Sequence, residues 1–118
     1  MDPIDEIRRR RKIAHQRLLE LDSKVYAAFL EMERAAFSDG ALPKVTKELM
    51  AVGMSVVGDC QSCMEWHITQ AARSGASRRQ VVEAIEVAIE MGGGPATVSA
   101  RFALDVMERV FGGTGAPE

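Results

Sequence analysis

Apolar residues recur along most of the chain at intervals of three and four, which is the spacing of one buried face of an α-helix. Residues that cap or start helices divide this pattern into segments. Six helices are predicted, and they begin at or near Asp2-Pro3, Ser23, Pro43, Cys60, Ser77 and Pro95. Turn-forming stretches separate them at 38–40, 58–59, 75 and 92–95. The pattern therefore predicts an all-α, single-domain bundle of about six helices over residues 1–118.

The predicted third helix is apolar nearly all round, because Glu48 and Ser55 are the only polar residues from Glu48 to Val57. A helix of this kind is expected at the centre of a molecule. Residues 51–57 alone would also suit a buried strand, since short apolar runs fit both structures. A strand leading into the next helix would resemble thioredoxin, but no other convincing strand is available to pair with it. We therefore predict a central helix.

Composition and charge narrow the classes of partner. The chain has 118 residues, of which 47% are apolar, enough for a core without a metal or disulfide staple. Its formal net charge of −2 argues against nucleic acid as a partner. The basic run Arg8–Lys12 is the exception, and we interpret it as a solvated helix face because Asp5, Glu6 and Glu20 lie nearby.

No apolar stretch is long enough to span a bilayer, and the polar start Met1-Asp2-Pro3 does not resemble a secretory signal. We therefore expect a cytoplasmic protein with no membrane partner. In a reducing cytoplasm, two cysteines three residues apart are rarely a permanent structural disulfide. The cysteine pair consequently points to catalysis or to metal binding.

Cys60 and Cys63 form a Cys-x-x-Cys motif at the predicted start of the fourth helix. Residues three apart on a helix lie on one face at about 5–6 Å, close to the Cα separation that a disulfide requires. The unpaired N–H groups at a helix start favour a thiolate over a thiol, although the charge of Asp59 opposes this effect. The motif can therefore open and close without dismantling the helix.

His67 follows Cys63 by one helical turn and shares its face, which is also the apolar face of that helix. Glu48 falls on the hidden side of the third helix, at the edge of Val52. A carboxylate in such a position needs a partner, and His67 and Cys63 are the predicted companions. A nucleophile, a base and a group that orients the base together make an activated thiol. Glu48, Cys60, Cys63 and His67 are therefore the predicted catalytic residues, with no metal and no cofactor.

Two interpretations from other classes remain open. In the first, Glu48, Cys60, Cys63 and His67 are the four ligands of a zinc-binding module. In the second, the chain is a redox-silent structural oligomer that uses its helices for assembly alone. Each of the four residues taken singly also has an ordinary structural explanation, such as a buried small apolar cysteine.

The spacing from Glu48 to the Cys60–Cys63 pair and on to His67 resembles the signature of the alkylhydroperoxidase D-like group of the carboxymuconolactone decarboxylase superfamily. Flanking stretches at 39–43, 47–49, 71–76 and 91–95 resemble the same group, so the likeness runs from about Ala36 to Val110. It implies an all-α fold that assembles as a homotrimer or homohexamer. It also implies an antioxidant oxidoreductase that reduces a hydroperoxide or a disulfide with electrons from a lipoyl or thioredoxin-like protein.

By the same resemblance, Cys63 is the thiol activated through Glu48 and His67. Cys60 is its disulfide partner and exchanges with the reductant. The best-known members carry a histidine between the cysteines and are longer, whereas this chain has Gln61 and Ser62 there. The true lactone decarboxylases generally lack the cysteine pair, so the resemblance implies thiol chemistry rather than decarboxylation.

Overall fold

The computed structural model describes residues 2–112. Within them the chain forms six α-helices and no strand: α1 Pro3–Glu20, α2 Lys24–Ala36, α3 Lys44–Val57, α4 Gln61–Arg73, α5 Arg78–Gly92 and α6 Gly94–Phe111. The all-α prediction is confirmed, and the ambiguous segment 51–57 is helical. The single domain over residues 1–118 stays a prediction, and 113–118 lie outside the described residues.

Helix starts follow the local capping chemistry that the sequence predicts. The Asp2 carboxylate accepts a hydrogen bond from the Ile4 N–H at 2.8 Å, and Pro3 occupies the first helical position of α1. Ser23 caps α2 in the same way. At the predicted start of α5, Ser77 and Gln80 form a capping box, in which each side chain accepts from the backbone N–H of the other.

The junction between α5 and α6 depends on two glycines. A Cβ at Gly92 would lie 2.7 Å from the Ala96 Cβ, so glycine permits the close approach of the two helices there. Gly93 has φ +68°, a conformation that L side chains rarely adopt. The two glycines therefore permit a tight turn between α5 and α6, and Pro95 lies in the first turn of α6.

The core lies among α3, α4, α5 and α6. Val52 and Val56 of α3 and Met64 and Ile68 of α4 are fully buried side chains of the same cluster. Helices α5 and α6 close the cluster with residues that are similarly inaccessible: Val81, Ile85, Ala88, Ala100, Ala103 and Val106. This packing fixes α3 against α4, the two helices that carry the predicted site.

Helix α1 adds Ile4 to this core, and α2 lies outside it. Ile4 is the buried residue of α1, and no residue of α2 is buried. The predicted all-round burial of α3 is wrong, because Met50, Met54 and Val57 are more than half exposed. No helix in the part of the chain that the structure describes is both long and apolar enough to cross a membrane.

The basic run on α1 is only partly solvated, contrary to the sequence interpretation. Arg8 donates to the Glu65 carboxylate at 2.6 Å, and Arg11 donates to the other oxygen of the same group. Burial alone raises the pKa of Glu65, but the hydrogen bonds from the two guanidinium groups outweigh it and hold the pKa below 4.5. Two of the basic residues therefore fasten α1 to α4, while Arg9 and Arg10 pair with Glu6.

Candidate functional site

The two cysteines lie at the start of α4, just after the connection from α3. Gly58 ends α3, and Asp59 turns the chain with φ +52°, a left-handed conformation that Asp tolerates better than most residues. Cys60 is then the N-cap of α4, and its Sγ accepts a hydrogen bond from the backbone N–H of Cys63 at 3.1 Å. The predicted location at a helix start is confirmed.

Cys60 and Cys63 are joined by a disulfide, with their Cα atoms 5.2 Å apart. The bond forms while α4 keeps its first turn intact, as the three-residue spacing predicts. Both cysteines are partly exposed, in contrast to Met64 directly behind them. The sulfurs therefore have some access to solvent, while the helix beneath them is anchored in the core.

Glu48 and His67 meet across the α3–α4 interface. The Glu48 side chain is 2% exposed, and its Oε1 lies 2.8 Å from the Nδ1 of His67, which is 15% exposed. Burial of this carboxylate and its contact with His67 are both as predicted. A carboxylate only accepts hydrogen bonds, so an ionised Glu48 would accept from Nδ1–H, and the hydrogen of a neutral His67 ring would then lie on Nδ1.

The second oxygen of Glu48 has a partner that the sequence interpretation missed. Cys63 is predicted as a further companion, but Oε2 instead accepts from the ammonium group of Lys44 at 2.5 Å. Lys44 lies one helical turn before Glu48 on α3, where an i,i+4 ion pair is expected. That spacing is a signal in the sequence that could have identified Lys44.

Phe37 is the other residue that sequence reasoning did not find. Its ring stacks on the His67 imidazole with centroids 5.1 Å apart, and the Lys44 Nζ lies 5.7 Å from the same ring. Lys44, Glu48, His67 and Phe37 therefore form a closed ring of contacts. Phe37 follows the end of α2 and bears no recognisable local signal, so only the tertiary structure reveals its role.

A cleft of about 280 Å³ opens beside this ring of contacts. Phe37 and Trp66 form apolar walls, and Lys44, Glu48 and Gln70 contribute polar groups. Arg11 covers part of Trp66, with its guanidinium 4.9 Å from the ring centroid. The buried carboxylate of Glu48 is consequently close to solvent on one side through this cleft.

The side chains do not form a metal centre in this state. Within residues 2–112, no group of three or more His, Cys, Asp or Glu side chains is arranged to hold a metal ion. Both sulfurs are committed to the disulfide, and the Glu48 oxygens are bonded to His67 and Lys44. The geometry therefore gives the four-ligand zinc interpretation no support.

Sequence comparison places this arrangement in a family. The model of the carboxymuconolactone decarboxylase family matches residues 23–106, a span that includes Glu48, both cysteines and His67. The chain belongs to the carboxymuconolactone decarboxylase family. The match begins at the cap of α2 and ends within α6, so α1 is the helix of this family member that lies outside it.

Two bacterial proteins are similar in sequence to this family member. Uncharacterized protein 4 in the cox locus of Paracoccus denitrificans is 45% identical over 85 residues, covering 72% of this chain and 77% of its own length. Uncharacterized protein H16_B0147 of Cupriavidus necator is 44% identical over 78 residues, covering 66% and 69% respectively.

Solved structures of the family share the fold. The apo form of lpg0406, a carboxymuconolactone decarboxylase family protein from Legionella pneumophila, aligns with a TM-score of 0.87 at 29% identity, over 93% of this chain and 98% of its own. TM1620 from Thermotoga maritima aligns at 0.83 with 25% identity, over 91% and 94%. An antioxidative role has been suggested for TM1620.

Proposed function

We propose that this family member is a thiol-dependent oxidoreductase, a peroxidase or disulfide reductase that cycles Cys60 and Cys63 between dithiol and disulfide. One observation carries the proposal. A partly exposed cysteine pair caps α4, and one turn further along is an imidazole bonded to a buried carboxylate at 2.8 Å. This is the arrangement of a nucleophile, a base and a group that orients the base.

His67 is the proton acceptor in this proposal. Its Nδ1–H is directed at Glu48, which leaves Nε2 without the ring hydrogen and able to take a proton. Cys63 precedes His67 by four residues, so the two side chains are neighbours on the surface of α4. Glu48 is bonded on both oxygens, and it therefore orients His67 rather than removing the thiol proton itself.

With a hydroperoxide, the Cys63 thiolate attacks one peroxide oxygen. The S–O bond forms, the O–O bond breaks, and the departing alkoxide takes a proton from His67, which leaves Cys63 as a sulfenic acid. Cys60, at the positive end of α4, then attacks the Cys63 sulfur as a thiolate. The S–S bond forms, the S–O bond breaks, and hydroxide leaves as water after protonation.

With a disulfide substrate, the same thiolate attacks a substrate sulfur and forms a mixed disulfide, which Cys60 then resolves. Both routes end at the Cys60–Cys63 disulfide. An external dithiol, on a lipoyl or thioredoxin-like protein, returns two electrons and two protons by thiol–disulfide exchange. No metal or further cofactor enters either route.

A turnover assay tests the proposal. The protein is supplied with an organic hydroperoxide or a disulfide, and dithiothreitol, dihydrolipoamide and thioredoxin are compared as donors. Catalytic consumption of at least one acceptor is expected, and Cys60→Ser and Cys63→Ser should each abolish it. The Gln61→Ala variant alters an exposed residue between the cysteines and should retain turnover.

A redox-silent structural role is the contrary outcome. In that case the wild-type protein would consume no combination of donor and acceptor faster than Cys63→Ser does. A redox titration of the thiols would also not be reversible near the cytosolic potential. Either result would overturn the proposal.

A further inference from the structure

Glu48 is a carboxylate with 2% exposure whose two oxygens have different partners. His67 contacts one oxygen, and this contact brings a compensating charge only if the imidazole is protonated. The Lys44 ammonium at 2.5 Å from the other oxygen is the cation of this group. Removing such a charge from water without a counter-charge is costly, and an isolated carboxyl group would take up a proton instead.

The protonation state of Glu48 decides which nitrogen of His67 carries the hydrogen. A carboxylate accepts from Nδ1–H and leaves Nε2 free as a base. A protonated carboxyl group would donate its O–H to Nδ1, and the ring hydrogen would then move to Nε2. In that tautomer the nitrogen available to the thiol can no longer accept a proton.

We propose that Lys44 is a positioning residue for the thiol chemistry, holding Glu48 as a carboxylate and His67 in the tautomer with Nε2 free. The inference rests on the proposed function for its effect on rate. The tautomer itself is a property of the resting protein and can be measured without turnover.

Contacts around Lys44 fix it in this place. Its backbone N–H donates to the Asp39 carboxylate at 2.7 Å at the start of α3, and its ammonium lies 5.7 Å from the Phe37 ring centroid. Phe37 in turn stacks on His67. Displacement of the ammonium would therefore disturb the imidazole both through Glu48 and through Phe37. The Lys44 side chain is 38% exposed, so the pair is reached by solvent through the cleft.

Other charged groups around the cleft leave this pairing in place. Glu33 and Arg34 of α2 line the same cleft, and Arg34 is paired with Glu31. Lys47 of α3 is directed away, since its ammonium donates to the Ser38 carbonyl at 2.7 Å. On α4 the titratable group that faces Glu48 is His67. Lys44 is therefore the cation that contacts the Glu48 carboxylate.

Lys44→Gln tests the inference, with Lys44→Arg as the rescue variant and Lys47→Gln as the matched control on the same helix. Imidazole ¹⁵N shifts of the reduced protein report the His67 tautomer. The wild-type protein and Lys47→Gln should show hydrogen at Nδ1, and Lys44→Gln should show a shift toward hydrogen at Nε2. Lys44→Arg should restore the wild-type tautomer.

The rate of Cys63 alkylation by iodoacetamide, measured against pH in a Cys60→Ser background, is the second readout. At neutral pH Lys44→Gln should react roughly 10- to 100-fold more slowly, by analogy with the loss of an orienting partner of a metal-bound histidine. The difference in rate between Lys44→Gln and the wild-type protein should narrow as pH rises, and Lys44→Arg should behave like the wild-type protein.

Two results would overturn the inference. One is a Lys44→Gln variant with the wild-type tautomer and pH profile. The other is an equal, pH-independent loss in Lys44→Gln and Lys44→Arg, which would indicate a purely structural role. Absence of peroxidase and reductase turnover in the wild-type protein would contradict the proposed function instead, and the tautomer measurement would still decide the role of Lys44.

Discussion

Glu48 is a carboxylate buried in the interface between α3 and α4. A chain gains nothing from placing a carboxylate among Val52 and Val56 unless partners compensate its lost hydration. The cost is met here by two donors, His67 and Lys44, in an otherwise apolar interface. An apolar side chain would pack the same space at lower cost, and this cost supports the chemical role proposed above for Glu48.

Substitution of the base or its orienting group should slow turnover without abolishing it. We expect Glu48→Gln and His67→Ala each to reduce the rate roughly 10²- to 10⁴-fold, as loss of general base catalysis does. The double variant should lose little more than the worse single variant, since the two residues act as one unit. Steady-state assays with the better of the two acceptors measure these rates.

His15→Ala is the matched control for these substitutions. His15 is hydrogen-bonded to the Tyr26 hydroxyl at 2.6 Å, between α1 and α2, and takes no part in the site. Its variant should keep the wild-type rate. Full activity in the Glu48→Gln, His67→Ala double variant would rule out the arrangement.

The sequence predicts part of the site because that part is periodic. Cys60, Cys63 and His67 share a face of one helix by spacing alone, and Glu48 lies among residues that mark a buried face. Phe37 could not be predicted, since it lies in a connection whose path depends on where α2 packs. The role of Lys44 could be predicted only in part. Its spacing to Glu48 can be read from the sequence, but the ion pair indicates a role only once Glu48 is known to be buried.

At the scale of helices, starts were predictable, whereas the exposed side of α3 was not. Caps act within one turn, so Asp2, Ser23 and Ser77 could be identified from their immediate neighbours. When a helix is apolar on most sides, as α3 is, the sequence does not indicate which side is exposed. The exposure of Met54 was therefore not predicted. The pairing of Arg8 with Glu65 spans 57 residues, a separation at which no local pattern operates.

The ion pairs of Glu65 with Arg8 and Arg11 predict how strongly α1 is held against α4. Glu65 is 1% exposed and fastened to Arg8 and Arg11, so Glu65→Gln removes the carboxylate and leaves two guanidinium groups without their partner. We expect the free energy of unfolding at neutral pH to fall by about 3 kcal/mol, the lower end for breaking a buried ion pair. Chemical denaturation measures the change, and Glu6→Gln, in an exposed pair on α1, should change it far less because exposed ion pairs contribute little to stability.

The same substitution has a defined pH dependence. The folded-state pKa of Glu65 is lowered from 4.5, so its stabilising contribution is present above that value and is lost as pH falls through the folded pKa. The difference between the wild-type protein and Glu65→Gln should therefore be constant near neutrality and shrink in acid. A difference that grows as pH falls would contradict the assignment of Glu65 as an ionised, paired group.

At the scale of the whole molecule, apolar surface remains uncovered. Val25, Phe29 and Met32 form one side of α2 and are all exposed, and Met50 and Met54 of α3 are exposed as well. An apolar stripe at helical spacing usually faces another protein surface. The homotrimer or homohexamer that the family resemblance implies would supply that surface from further copies of this chain.

Assembly can be tested through α2. Light scattering on the wild-type protein should give a mass three or six times the 12.9 kDa of one chain. Phe29→Glu places a charge in the middle of the exposed apolar side of α2, and we expect it to weaken assembly roughly 30-fold or more, since loss of an aromatic anchor at an interface costs about 2 kcal/mol. Lys12→Glu also introduces a glutamate, at an exposed position of α1, and should leave the mass unchanged.

A wild-type protein that is monomeric at micromolar concentration would contradict the assembly. Equal masses for the wild-type protein and Phe29→Glu would instead exclude α2 from the contact, and would direct attention to the exposed methionines of α3.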